Sequence, residues 1–348
     1  MRITRRRLLI SLGTLGTGLK RPVLVTARAS LARFEFSEPH MGTIFKIVLY
    51  ARDRALATTA SRAAFDRIAA LDHIMSDYDE TSELMRLCRG AGGPAVEISA
   101  DLCRVMAAAQ ELSRRSDGAF DITVGPVVQL WRRARRRHEL PEPDRLAAAR
   151  ELVGYENVHL DPKAQRARLL KPGMLLDLGG IAKGDAADQA LILLNYYHVG
   201  QVLVAAAGDI GTGDPPPGRD WEIGIETFES PASPPSRFIG LHNSAVSTSG
   251  DSEQHVEIAG VRYSHIVDPK TGMALTGRRS VTVTAPHGIV ADCYATALCV
   301  LGHERGLRLI HDTPGTAALI IEDESDAIHE YRSSEFPAIT ASGSADVR

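Results

Sequence analysis

The sequence predicts an α+β fold, a single large domain with a substantially antiparallel mixed sheet and flanking helices. Strand-like runs of period two and apolar runs of helical period follow one another without the strict alternation that a parallel sheet requires. No stretch of linker composition divides the chain after residue 30. The 348 residues, 44% hydrophobic and 24% charged, suffice for a sizeable core.

Phe34 to Tyr50 reads as two strands around a turn at Met41-Gly42-Thr43. Ala60, Ala63, Ala64, Ile68 and Leu71 recur at helical spacing and predict a helix from about Leu56 to Met75, which Ser76-Asp77-Tyr78-Asp79 ends. A second helix is expected from Asp101 to Ser116, stopped by Asp117-Gly118. Ala119 to Pro126 then forms a loop leading to a helix that contains Trp131. The basic run Arg132 to His138 lies on or just after that helix and reads as a solvated face or as a phosphate-binding surface.

Leu169 to Gly180 is expected to form strands that end in a Gly-rich turn, followed by a helix from Ala182 to Tyr197. Further strands are expected at Val202 to Ala207, Trp221 to Ile225, Ala245 to Ser249, Val261 to Ile266 and Ser280 to Ala285. The Pro-rich stretches Asp214 to Gly218 and Ser230 to Ser236 are loops, and an apolar helix surrounds Ala291 to Leu298.

Forty Lys and Arg against 43 Asp and Glu give a net charge of -3, so the total offers no ground for a nucleic-acid or anionic-membrane partner. All seven charges in the first 29 residues are basic, and without them the net would be -10. That segment contains Arg5-Arg6-Arg7, a modest apolar stretch and Ala27-Arg28-Ala29, the layout of a twin-arginine export signal cleaved after Ala29. The expectation is therefore a leader at 1–29, a globular domain at 30–348 and a periplasmic location. Leu8 to Leu19 falls short of the roughly 20 residues that a membrane helix needs, and no stable span is expected in the mature protein. Cys88, Cys103, Cys293 and Cys299 lack CxxC spacing and read as core thiols.

Three segments carry chemistry. Asp177-Leu178-Gly179-Gly180-Ile181-Ala182-Lys183-Gly184 lies where a strand gives way to a helix, and its glycines allow backbone to approach an anion at the helix start. A turn packed for structural reasons fits the same residues. Asp292 and Thr296, at i and i+4, project from one helix face as a half-site of hard oxygens for magnesium, or else as a cap and a hydroxyl bonded back into the helix. Ser247-Thr248-Ser249-Gly250-Asp251 and Tyr263 to Gly272 are expected to converge within one hairpin. His265 there is either a general base or a hydrogen-bonded structural histidine.

Taken in order along the chain, these blocks resemble the ApbE family, the FAD:protein FMN transferases. The resemblance spans about Phe34 to Leu309 and includes Met41-Gly42-Thr43, Met75-Ser76-Asp77-Tyr78, Phe120-Asp121-Ile122-Thr123-Val124-Gly125-Pro126, Asp177 to Gly184, Thr248-Ser249-Gly250, Ser264 to Pro269, and Ala291-Asp292 with Thr296. Ala207-Gly208-Asp209 stands where the family has Gly-Gly-Asp, and Cys88 where Asn is common.

The resemblance implies magnesium-dependent transfer of FMN from FAD to a Thr or Ser of an acceptor flavoprotein, with release of AMP. It implies magnesium held by Asp292, Thr296 and the carbonyl of Gly180, with His265 taking the acceptor's proton. Met41, Tyr78, Ala119, Phe120, Asp121, Asp177, Lys183 and Ile266 would line the FAD site. The implied acceptor belongs to a membrane-associated electron-transfer chain. Two alternatives remain at this point: an FAD pyrophosphatase giving FMN and AMP, and a non-catalytic periplasmic flavin-binding protein.

Overall fold

Alternating burial along Ala32–His40 (β1) and Thr43–Ala51 (β2) makes an antiparallel hairpin. Its two-residue turn holds Met41 at φ 49° and Gly42 at φ 72°, the left-handed pair that matches the twist of the strands. The computed structural model describes residues 31–341 except 217, 226–227, 229–234, 252–253 and 325–326. The expected leader at 1–29 and most of the Ser230 to Ser236 loop therefore lie outside the described residues.

The chain continues through α1 (Arg54–Met75), α2 (Glu83–Arg89), β3 (Val96–Glu97), α3 (Ala100–Arg115), α4 (Gly125–Arg137), α5 (Pro143–Arg150), β4 (Val158–Asp161), β5 (Arg166–Leu169) and α6 (Ala182–Tyr196). Strands then dominate: β6 (Val202–Ala206), β7 (Asp209–Thr212), β8 (Trp221–Gly224), β9 (Phe238–Leu241), β10 (Ser244–Gly250), β11 (His255–Ile258), β12 (Val261–Val267), β13 (Ala274–Thr276) and β14 (Arg279–Ala285). The last elements are α7 (Gly288–His311), β15 (Ala317–Glu324) and β16 (Ala327–Arg332). Asp53, Ser82 and Ser99 cap α1, α2 and α3, each side chain accepting a backbone N-H of the first turn. Among the described residues, no helix is long and apolar enough to cross a membrane.

Eight strands form one sheet in the order β1-β2-β6-β7-β10-β14-β15-β16, antiparallel throughout. The period of two divides its side chains between two cores. Phe45, Ile47 and Leu49 of β2, Val204 of β6 and Ile320 of β15 join the helices in the larger core. Val48, Leu203, Leu319 and Ile321 point the other way, against Trp221, Ile223, Ile239 and Leu241 of the β8–β9 hairpin. A separate sheet, β11-β12-β13, packs on α4 through Val127, Trp131, Val256 and Tyr263.

Helices α6 and α7 cross at Gly184 and Gly288. A Cβ on Gly288 would lie 2.5 Å from the carbonyl oxygen of Gly184, and a Cβ on Gly184 would strike Gly288 in turn. At this crossing the helices cap each other. Asp188 of α6 accepts the N-H groups of Gly288 and Ile289 at 2.6 and 3.0 Å, and Asp292 of α7 accepts that of Gly184 at 3.0 Å. Farther along, α7 breaks at Gly302 (φ 72°), where Arg279 donates to the freed carbonyl of Cys299.

The helices α1, α3 and α6 start and end within two residues of their predicted bounds. Two expectations are corrected. No strand runs from Leu170 to Gly180, because Pro172 and Gly173 (φ 85°) interrupt the chain after β5. The segment is instead pinned by single bonds, Leu176 N-H to Cys88 Sγ at 3.3 Å and Asp177 N-H to the Ile122 carbonyl at 2.8 Å. Nor do the Ser247 and His265 segments share a hairpin. β10 lies in the large sheet and β12 in the small one, since each finds apolar partners on a different face.

Replacing Gly288 with Ala forces the helices apart and should cost about 1–3 kcal/mol by overpacking. Chemical denaturation measures this, and an unchanged midpoint would show that the crossing tolerates a methyl group. Ala207 holds φ 54°, a left-handed conformation that costs a non-glycine residue about 1–2 kcal/mol. Glycine entropy offsets about 0.5–1 kcal/mol of this, so Ala207→Gly should stabilise by about 0.5–1 kcal/mol, read as a rise in midpoint; a fall would refute the strain.

Candidate active site

The turn before α6 and the first half of α7 bring a carboxylate, an ammonium and a hydroxyl together. Asp292 is 2% exposed. Burial, then the like charge of Asp209, push its carboxyl up to about 7, against the pull of Lys183 and the Gly184 N-H. The Lys183 ammonium stands 2.7 Å from Asp209 Oδ2 and 3.9 Å from Asp292 Oδ2. Burial disfavours its charge, yet the two carboxylates outweigh burial and hold it above the ordinary lysine value. Asp209, at the start of β7, also accepts the Ser247 hydroxyl at 2.5 Å. Two carboxylates thus share one ammonium, which leaves a formal negative charge for a cation to neutralise.

One turn beyond Asp292, the Thr296 hydroxyl lies 3.4 Å from Ser249 Oγ. A Cβ on Gly180 would come within 2.9 Å of Thr296 Oγ1 and 3.4 Å of the Phe120 ring, so only glycine fits between them. Asp292 caps α6 rather than its own helix, whose N-cap position is His287. A carboxylate, a hydroxyl and a peptide carbonyl are the hard oxygens that magnesium takes, with phosphate and water completing its shell. No group of three His, Cys, Asp or Glu suited to a metal occurs among the described residues.

Arg132 builds the adjoining wall. Its guanidinium donates to Asp77, and to Asp177 Oδ2 at 2.8 Å, and lies 4.5 Å from the centre of the Tyr78 ring. Burial, then the charge of Asp177, raise the Asp77 carboxyl above its usual value despite Arg132. Tyr78 is 77% exposed, with Arg132 behind one face. Asp177 also accepts the Gly179 N-H at 2.8 Å, which shapes the Gly-Gly turn. Met41 is tied to the end of α1 by its N-H, which Asp72 accepts at 2.8 Å.

His265 sits on β12 where pairing with β13 shifts register between Tyr263 and Val267, an irregularity of the kind that re-aims a side chain. Its Nδ1 lies 3.2 Å from the Gln254 carbonyl. Burial first, then the nearby charges of Arg135 and Lys183, push its pKa down to about 4. The neutral ring therefore donates Nδ1-H to Gln254, and Nε2 keeps its lone pair.

The structure brings Phe120, Asp177, Gly180, Lys183, Asp292 and Thr296 into direct or one-residue contact, with His265 in electrostatic reach of Lys183 and Asp177. Ala119 and Ile266 are buried neighbours of Phe120 and His265. The Asp121 carboxylate is taken up locally, accepting the Thr123 N-H and hydroxyl and the Tyr155 N-H at 2.7–2.8 Å. Burial raises its pKa against those bonds. Sequence reasoning missed the parts played by Arg132 and Asp209. The first stood within a basic run and the second within Ala207-Gly208-Asp209, and neither pattern names its distant partner.

The model of the ApbE family matches residues 41–320. An FAD:protein FMN transferase of Haemophilus influenzae is 33% identical over 314 residues, covering 86% of this chain and 89% of that protein. One from Treponema pallidum is 32% identical over 310 residues, covering 84% and 86%. Among solved structures, the flavin transferase ApbE of Vibrio cholerae is similar with a TM-score of 0.78 at 29% identity, covering 88% of this chain and 98% of that one. The ApbE protein of Thermotoga maritima has the same score and coverage at 31% identity.

Across pH 8 to 5 the His265 ring should remain neutral and should protonate only near pH 4. An unfolded histidine titrates near 6.5, so the folded state is penalised progressively as pH falls from about 6.5 to 4, and not above that window. Ring NMR shifts follow this directly, and a midpoint at or above 6 would remove the neutral-histidine assignment.

Proposed function

The chain belongs to the ApbE family, and on that premise we propose that it is an FAD:protein FMN transferase, moving FMN from FAD to a Thr or Ser hydroxyl of an acceptor flavoprotein with release of AMP. The observation that carries this reading is that Gly180 packs against Thr296 while Lys183 stands beside Asp292, one turn before Thr296 on the same helix, with a neutral His265 within electrostatic reach of Lys183. Phosphoryl transfer calls for charge neutralisation, in-line placement and a proton acceptor.

In this reading, Asp292, Thr296 and the Gly180 carbonyl would hold magnesium, whose contribution when bound would be to neutralise charge on the pyrophosphate. Lys183 adds a second positive charge there, and Asp209 fixes its position. Tyr78 offers its open face to an aromatic ring of FAD. Met41, Ala119, Phe120, Asp121, Asp177 and Ile266 complete the lining. The acceptor oxygen bonds to the FMN phosphorus as the bond to AMP breaks, and His265 Nε2 takes the hydroxyl proton. A base of low pKa suffices because a loose phosphoryl transition state asks little deprotonation of its nucleophile.

The reading extends to export through a twin-arginine leader at residues 1–29, a periplasmic location and an acceptor in a membrane-associated electron-transfer chain. Its support is the basic, weakly apolar opening segment. Fractionating cells with and without a working twin-arginine translocase tests it; identical distributions would refute that route.

The activity is tested by mixing protein, FAD and magnesium with a flavin-acceptor domain bearing a Ser/Thr-Gly-Ala-Thr target, then reading fluorescence on a denaturing gel and AMP release. A fluorescent band with matching AMP is expected. AMP and FMN without a labelled band would make the protein a pyrophosphatase, and neither product would make it a flavin binder. Asp292→Asn keeps an acceptor for the Gly184 N-H but should lower magnesium-dependent transfer at least about 10²-fold. His265→Ala should bind FAD normally and lose about 10²–10⁴-fold in transfer; full transfer in either variant would cancel that residue's role.

A further inference from the structure

The basic run of α4 is only partly consumed by the site. Arg132 is committed to Asp77 and Asp177. Arg133, Arg135, Arg136 and Arg137 have no ion-pair partner among the described residues; Arg133 and Arg135 are half-buried, and Arg136 and Arg137 exposed. Glu139 follows the helix and pairs with none of them, while Glu142 is paired with Arg145. In a chain of net charge -3, this is a concentrated positive face without a counter-charge.

Its position gives the face a meaning. Arg135 donates to Gln254 Oε1 at 3.2 Å, and the carbonyl of the same Gln254 holds His265 Nδ1 at 3.2 Å. One residue therefore separates the unpaired guanidinium from the proposed base. Arg136 stands one turn beyond Arg132, on the solvent side. In the proposed reading Lys183 already serves the pyrophosphate, so Arg135 is spare positive charge beside the proposed base, and Arg136 and Arg137 extend that charge along the exposed side of the same helix. Guanidinium groups bind carboxylates in paired hydrogen bonds, and opposed charge steers encounter.

We propose that the arginine face of α4 is the docking surface for the acceptor protein and that it selects an acidic stretch beside the modified hydroxyl. This rests on the transferase reading. The acidic stretch crosses the exposed side of α4 at Arg136, with Arg135 and Arg137 flanking it, while the hydroxyl reaches His265 Nε2. The arginines act on acceptor affinity, leaving bond making to the groups around Lys183.

The test uses two versions of the flavin-acceptor domain, one with acidic residues beside its Ser/Thr-Gly-Ala-Thr target and one with lysines there. The parent protein should show a KM about tenfold lower for the acidic version, the product of about two exposed ion pairs. High salt should erase the difference. Arg136→Glu with Arg137→Glu should invert the preference, Gln at both positions should abolish it, and the KM for FAD should stay put. Equal KM values for both versions with the parent protein would overturn the proposal. So would a rise confined to the KM for FAD, which would assign the arginines to the donor. Arginine-dependent binding to phosphatidylglycerol vesicles with no acceptor preference would assign the face to a membrane. If the parent labels neither version, the transferase reading itself falls and the docking surface with it.

Discussion

The reciprocal capping of α6 and α7 is the constraint on which the site depends. Each helix start has N-H groups without helical partners, and each receives a carboxylate from the other helix. That exchange requires the two axes to approach until backbone meets backbone, which Gly184 and Gly288 permit. Once the crossing is set, Asp292 faces the first turn of α6, and Thr296 faces Gly180 one turn farther along. Lys183 then stands beside Asp292, and the start of β7 supplies Asp209 as its closer partner. The interactions that hold the fold together here also arrange the oxygens proposed for catalysis.

Electrostatics divides the site into two regions. Around Lys183, positive charge is outnumbered by nearly buried carboxylates, and burial with the like charge of Asp209 raises the Asp292 carboxyl. Around His265 the excess is positive, and the ring stays uncharged. In the proposed reading the cation occupies the first region and the proton-accepting nitrogen the second. Arg132 joins the walls between them, binding Asp77 beyond α1 to Asp177 ahead of α6.

Much of this was legible in the sequence. Apolar periodicity located α1, α3 and α6, and the alternation of β2, β10 and β14 marked strands of a buried sheet. The turn at Met41 and Gly42, and the carboxylate and hydroxyl of Asp292 and Thr296 on one helix face, followed from local spacing. Pairing over distance was not legible. Nothing near Leu169 to Gly180 states that its backbone donors go to Cys88 and Ile122 instead of a neighbouring strand. Nothing near His265 states that β12 joins β11 and β13 and leaves β10 to the large sheet. Arg132 looked like one member of a solvated run because its two acidic partners lie 55 and 45 residues away.

The placement of His265 on the small sheet has a consequence for how such a site can be retuned. Among the described residues, no backbone ladder ties β12 to the strands or helices that carry Lys183 and Asp292. The small sheet is seated on α4 through the Trp131 and Tyr263 rings at 5.2 Å and the Trp131 Nε1-H bond to the Gly272 carbonyl at 2.9 Å, and on the large core through Ile266 and the Arg262–Asp251 ion pair. An aromatic layer between sheet and helix thus helps to set where the His265 strand sits. Changing the bulk of that layer would shift the His265 strand through side-chain packing while the ladders of both sheets stay intact, so the reach of that histidine could be retuned without rebuilding the fold.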